Sequence, residues 1–179
     1  MHSSLIRVGA ATFAILAATL GHAQAPGDQA NEIADLKAEV AELRGMIPSQ
    51  SHAMMDVDYH FTNLWFAAQR DNWALATFYL NETKSHLNWT VRIRPVRKLS
   101  NGQDLPLAPI LKGVEQSGLA DLKTAIDGKN HKAFVGAYRE TIEQCYACHK
   151  AAEKPFLRPQ IPERPATHII NMQPDAKWP

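Results

Sequence analysis

Apolar residues recur along most of this chain at intervals of three and four, which is the period of an α-helix. The first such stripe lies in residues 28–47, where charged residues separate the apolar positions and Pro48 ends the segment. Its apolar members are Ile33, Leu36, Val40, Leu43 and Ile47. The stripe fits either an amphipathic helix packed on its own domain or a short coiled coil joining two or three subunits. So few heptads do not separate the two interpretations, and a homo-oligomer through residues 33–47 stays open.

Residues 49–153 carry four further stretches with helical periodicity. Polar residues of the capping type predict the starts of the first two, at Ser49 or Ser51 and at Asp71 or Asn72. The first stretch runs to about Arg70, and the second must end by Arg94 because Pro95 disfavours helical geometry in the residue before it. The apolar residues of the first stretch, among them Met54, Phe61 and Trp65, lie on one face.

The third helix is predicted to start near Pro106 or Pro109, after a loop that contains Asn101-Gly102, and to run unbroken to Gly128. Asn130 would cap the fourth, and no segment alternates as a strand would. Four helices of similar length joined by short turns predict an all-α, antiparallel four-helix bundle, whose core is a normal place for a cofactor.

The last segment, residues 154–179, differs from the rest because six of the eleven prolines fall after residue 150. It cannot form a helix. Its apolar residues, among them Ile161 and Met172, favour an extended tail that wraps over the bundle, with a disordered tail as the alternative.

The N-terminus has the pattern of a secretory signal peptide: Arg7, an apolar run over residues 8–20, and small residues around Ala23 and Ala25. The predicted peptide is residues 1–23, with cleavage after Ala25 as an alternative. The apolar run is shorter than the roughly 20 residues that span a bilayer. We therefore expect a periplasmic protein with no membrane span after cleavage.

Charge excludes one class of function. The whole chain has 19 Lys and Arg against 18 Asp and Glu, and removal of Arg7 with the signal peptide balances them. A nucleic-acid-binding protein would show a basic excess, so we expect no nucleic-acid partner.

The predicted chemistry rests on the segment Cys145-Tyr-Ala-Cys148-His149, because C-x-x-C-H is typical of covalent haem attachment. On a helix, thiols three residues apart share a face and could bond both vinyl groups of one porphyrin. His149 would then be the proximal iron ligand. A thioredoxin-like pair would need a βαβ context, and a structural zinc site would need a second cysteine pair, which this chain of only two cysteines lacks. A structural disulfide that happens to precede a histidine also fits less well.

The position of this motif, late in the last of four predicted helices, resembles the class II cytochromes c, the cytochrome c-prime and c-556 group. The resemblance covers about residues 49–153. The heptad segment in front and the long proline-rich tail depart from the family pattern. The resemblance implies one covalent haem c and a distal residue on the first bundle helix that decides whether the iron carries electrons or binds gas.

Met54 lies on the apolar stripe of that helix and is the predicted distal ligand, because a thioether is a soft ligand suited to haem iron. Met55 and His60 are the alternatives, and an open distal site is the remaining option. A basic cluster at the end of the next helix is either a solvated helix end or a partner for haem propionates, with Arg92 and Arg94 as the candidate contacts. Its members are Arg92, Arg94, Arg97 and Lys98.

These observations predict a periplasmic monohaem cytochrome that transfers single electrons between redox partner proteins and is not an enzyme. Two alternatives remain: a haem protein that binds nitric oxide or carbon monoxide, and a haem subunit of a larger redox complex.

Overall fold

The computed structural model describes residues 26–177, and this part of the chain is mostly helical. In chain order its elements are α1 (Pro26–Met46), α2 (Gln50–Ala68), α3 (Trp73–Ile93), β1 (Val96–Lys98), β2 (Asp104–Pro106), α4 (Leu107–Gln116), α5 (Gly118–Asp127) and α6 (His131–Ala151). The all-α class is confirmed, with one short hairpin added. None of the helices within residues 26–177 has the length and apolar character needed to cross a bilayer. The signal peptide predicted over residues 1–23 lies outside the described residues.

The chain divides into two compact units, and α1 belongs to the first of them. The helix predicted over residues 28–47 is present and ends one residue earlier, at Met46. Its apolar stripe is between 43% and 54% exposed at Ile33, Leu36, Val40 and Leu43. The second unit begins at Ile47 and contains all the other elements.

Polar caps define three helix starts, as the sequence predicts. Ser49 Oγ accepts a hydrogen bond from the His52 backbone N–H at 3.4 Å. The side chain of Asn72 accepts from Leu75 N at 3.2 Å, and that of Asn130 accepts from Ala133 N at 3.0 Å. Each cap satisfies a backbone donor that has no partner within its own helix.

The unbroken third helix predicted up to Gly128 is wrong, because the chain breaks at Ser117 into α4 and α5. The backbone of Ser117 leaves helical geometry, with φ −122° and ψ −98°. Its hydroxyl donates to the carbonyl of Gly113 at 2.8 Å, an alternative to continuing the backbone ladder. The break places Gly118 against α6, where a Cβ would lie only 2.5 Å from Thr141 Oγ1.

The expectation that no segment forms a strand is also wrong. β1 and β2 pair antiparallel, with Arg97 opposite Leu105. The connecting loop contains the predicted Asn101-Gly102 turn, and Gly102 takes a φ of +82° that glycine adopts without steric cost. Three-residue strands carry too short an alternation to be recognised by period.

The core of the second unit lies where α2 packs against α3 and α5 packs against α6, with further contacts between α3 and α5. Its largest fully buried side chains are Tyr79, Tyr138, Phe134, Leu64, Leu119 and Leu122.

Residues 154–177 form neither helix nor strand, and they contact the helices at several points. The Ala166 N–H donates to the buried side-chain oxygen of Asn63 at 3.0 Å. Further along, the carbonyl of Met172 accepts from the Asn72 side chain, and the Met172 side chain is 2% exposed within the core. The tail therefore contributes to the core.

Candidate functional site

The two cysteines lie one turn apart on α6, and both thiols are free and half-buried. Burial raises the pKa of Cys145 to about 11 and also raises the pKa of Cys148. Both sulfurs are therefore protonated at neutral pH. The raised pKa of both thiols disfavours the reactive thiolate that a thioredoxin-like nucleophile needs.

His149 follows one residue after the second cysteine and is held by the beginning of the tail. Its Nδ1 lies 2.8 Å from the carbonyl oxygen of Leu157, and since a carbonyl only accepts, Nδ1 carries the proton. The other ring nitrogen, Nε2, keeps its lone pair for a ligand. Histidines that bind metals are usually oriented by this kind of hydrogen bond.

The turn that carries Leu157 is itself fixed to α6. The Lys154 N–H donates to the carbonyl of His149 at 2.8 Å, and the Tyr146 hydroxyl donates to the carbonyl of Pro155 at 3.2 Å. The orientation of the His149 ring thus depends on a short loop that packs back onto the same helix end.

Aromatic contacts set the register between α2 and α6. The rings of Phe61 and Tyr138 stack with centroids 4.2 Å apart, and the Tyr138 hydroxyl donates to the Phe61 carbonyl at 2.8 Å. One turn further along α2, Trp65 meets Phe134, which is one turn back along α6. The two helices are therefore antiparallel.

That register brings Met54 to the level of the cysteines. Met54 is seven residues before Phe61, and Cys145 is seven residues after Tyr138, so equal rises along the two helices put both at the same height. Met54 is half-buried, whereas Met55 is 66% exposed. Of the two methionines, only Met54 combines this height with burial.

His60 contacts side chains of α3. Its ring stacks on that of His86 in α3, with centroids 4.6 Å apart, and also contacts the ring of Tyr79. Burial, followed by the nearby His86, lowers the pKa of His60. The structure therefore groups His60 with residues of α3.

Within the basic cluster, Arg97 in the small hairpin contacts the motif-bearing end of α6. Its Nε donates to the carbonyl of Ala152 at 3.3 Å, and its Nη1 donates to the side-chain oxygen of Gln50 at 3.1 Å. Arg92 is exposed, and Arg94 donates to the carbonyl of Ile93. The sequence points to the basic cluster, but the hairpin that selects Arg97 from it is not visible in the hydrophobic pattern.

Comparison with protein-family models, with curated proteins and with solved structures finds no match to this chain.

The residues at this end of α6 fit a covalently attached haem. Two protonated thiols share one helical turn, an imidazole nitrogen with a free lone pair follows them, and a thioether lies level on the facing helix. A haem bound here would have Cys145 and Cys148 as its thioether positions, His149 as proximal ligand and Met54 as the distal candidate. Arg97 lies at the same end, where it is hydrogen-bonded to Ala152 and Gln50.

Proposed function

We propose that this chain is a periplasmic monohaem c-type cytochrome of the class II kind, with its helices arranged as an antiparallel four-helix bundle, and that it transfers single electrons. The observation that carries the proposal is the hydrogen bond from His149 Nδ1 to the Leu157 carbonyl. It presents Nε2 as a ligand directly after two free thiols of the C-x-x-C-H segment. A bound haem supplies a one-electron Fe(II)/Fe(III) couple at this position.

Met54 supports electron transfer over gas binding. A thioether in the distal position fills the sixth coordination site and raises the reduction potential of haem iron. The half-burial of Met54 on α2, at the height of the cysteines, supports that role for Met54 over exposed Met55. Redox partners would then dock at the end of the molecule where the motif lies.

Absorption spectroscopy tests the proposed function on protein produced with a c-type cytochrome maturation system. An electron carrier shows a six-coordinate, low-spin spectrum in both oxidation states and is unchanged when carbon monoxide is added. A high-spin ferrous spectrum that shifts with carbon monoxide would instead support the gas-binding alternative. Protein that acquires no haem under these conditions would overturn the proposal altogether.

A further inference from the structure

Two histidines and a glutamate from neighbouring helices converge at the α2–α3 interface. They are His60 on α2 and Glu82 and His86 on α3, and each offers one ligand atom so that these atoms all lie within 4.8 Å of one another. The spacing of Glu82 and His86 places them one above the other on one face of α3. None of the three belongs to the Cys145–His149 segment.

We propose that His60, Glu82 and His86 form a binding site for a divalent transition metal such as zinc. Imidazole nitrogen and carboxylate oxygen are both good zinc ligands, and two histidines with one glutamate make a recognised three-ligand set. In a tetrahedral site the ligand atoms lie about 3.3 Å apart, so the present spacing needs only a small closure of side chains. The site does not depend on the presence of a haem.

Each of the two rings has a nitrogen that is free to bind a metal. His86 Nδ1 lies 2.9 Å from the carbonyl of Glu82, which makes Nδ1 the protonated nitrogen and leaves Nε2 free. His60 Nδ1 is buried without a hydrogen-bond partner in the described part of the chain, and such a group ordinarily has one. A metal would supply the missing partner.

Charge at the site is also favourable. Asp56 Oδ2 lies 3.9 Å from His86 Nε2, and Glu82 Oε2 lies 3.9 Å from His86 Nδ1. Two carboxylates around two imidazoles favour a cation, and Asp56 is a candidate fourth ligand. The three ligands are half-buried, which leaves a path for the ion to enter from solvent.

Zinc binding to the full chain tests this site by equilibrium dialysis. The variants are His60→Ala, His86→Ala and Glu82→Gln, with His131→Ala as the matched control, since His131 is an exposed histidine that pairs with Gln69 on another surface. The C-x-x-C-H segment is identical in all of them, so any zinc it binds cancels from the comparison.

We expect His60→Ala, His86→Ala and Glu82→Gln each to bind zinc at this site at least tenfold more weakly than the wild type. The control, His131→Ala, should bind it as tightly as the wild type. Glu82→Gln alters a single partly exposed atom, so it decides the outcome if an alanine variant loses its helical circular dichroism. Zinc should also raise the unfolding temperature of the wild type more than that of Glu82→Gln. Equal affinity in the wild type and the folded ligand variants would overturn the proposal.

A separate observation concerns the first unit. In α1 the exposed stripe has β-branched residues, Ile33 and Val40, at heptad positions a and leucines, Leu36 and Leu43, at positions d. This distribution favours two-stranded parallel coiled coils. The flanking g and e positions are occupied by Glu32, Lys37, Glu39 and Arg44.

We infer that α1 pairs in parallel and in register with α1 of a second copy of this chain. In that arrangement each g residue faces the e residue five positions later on the partner helix, so Glu32 meets Lys37 and Glu39 meets Arg44. Both pairs have opposite charge. An antiparallel pair would instead bring e against e and g against g, with like charges facing each other. With so few heptads, we expect a dimer that dissociates on dilution.

Sedimentation of the full chain over a range of concentrations tests the pairing. Leu36→Lys and Glu39→Lys should each raise the dissociation constant of the dimer at least tenfold. The double variant Glu39→Lys with Arg44→Glu should return this constant to the wild-type value. Ala38→Lys, at the outer position f, is the control and should leave the dimer unchanged. A wild type that stays monomeric, a trimer, or a double variant that fails to recover would each overturn the inference.

Discussion

One backbone carbonyl orients the imidazole of His149. The hydrogen bond from Nδ1 to Leu157 fixes the tautomer, so Nε2 is the nitrogen available for a metal. At the residue scale the proposed cytochrome therefore depends on a tail loop that follows the motif as well as on the motif. The same principle applies to His86, whose Nδ1 is engaged by the carbonyl of Glu82.

The two neighbouring methionines on α2 give a matched test of the distal ligand. If Met54 binds the haem iron, Met54→Ala removes the sixth ligand and converts the ferrous spectrum to high spin, whereas Met55→Ala leaves it low spin because Met55 is 66% exposed. Absorption spectra of the two purified variants make the comparison. A low-spin spectrum in both variants would exclude Met54 as the ligand.

Glu153 predicts a specific pH dependence of stability. Hydrogen bonds from the hydroxyl and the N–H of Ser100 lower the pKa of this carboxyl below its ordinary value. A lowered pKa in the folded state stabilises the protein above the ordinary carboxyl pKa, and this stabilisation is lost as the pH falls through the lowered value. Glu153→Gln should therefore reduce stability at pH 7 and have less effect at strongly acidic pH.

Urea unfolding at both pH values measures the effect of Glu153→Gln, with Glu163→Gln, an exposed tail carboxylate, as control. The control should unfold like the wild type at pH 7. If Glu153→Gln costs the same stability at both pH values, the hydrogen bonds to Ser100 are not the source of its effect.

At the scale of elements, the contact between α5 and α6 depends on a residue without a side chain. A Cβ at Gly118 would lie 2.5 Å from Thr141 Oγ1 and 3.2 Å from Thr141 Cα, so Gly118→Ala should destabilise the fold by about 1–3 kcal/mol. Gly136 has open space around it on α6, and Gly136→Ala should be neutral or stabilise by up to about 1 kcal/mol. Denaturant titration measures the unfolding free energy of the two variants. Equal values would contradict the close approach of Gly118 to Thr141.

The tail behaves as a structural element although it has no regular secondary structure. Met172 is 2% exposed in the core, while nearby Ile169 is 90% exposed. Met172→Ala should therefore cost about 2–5 kcal/mol of unfolding free energy. Ile169→Ala should change it by less than about 0.5 kcal/mol. Similar small effects of both substitutions in chemical denaturation would show that the tail is not part of the cooperative fold.

At the scale of the whole molecule, the tail contacts both ends of the helices of the second unit. The tail leaves the end of α6 beside His149, meets Asn63 on α2, and reaches Asn72 at the turn between α2 and α3. It therefore links the end that carries the cysteines to the opposite end of the same helices. The candidate metal site lies between these points, with His60 six residues, or about 9 Å along the axis, from Met54.

Sequence predicts the helices here because their signals are local. Asn72 and Asn130 cap helices as expected, and the thiols of the C-x-x-C-H segment share a helical turn by virtue of spacing alone. The sequence does not predict the break at Ser117 or the strands on either side of Gly102, because neither interrupts an apolar stripe strongly.

Helical periodicity does not predict which residues of two helices contact each other. His60 meets Glu82 and His86 only through the register of α2 against α3, which no single-helix pattern specifies. Likewise, the sequence does not show that Arg97 rather than Arg92 contacts α6, because this contact depends on the hairpin that carries Arg97.

The intact mass of the exported protein tests the central claim most directly. When the chain is produced with a c-type maturation system, we predict that the wild type carries the mass of one covalent haem and that a Cys145→Ala, Cys148→Ala double variant carries none. Wild-type protein that is exported and folded but has the mass of the polypeptide alone would contradict the account.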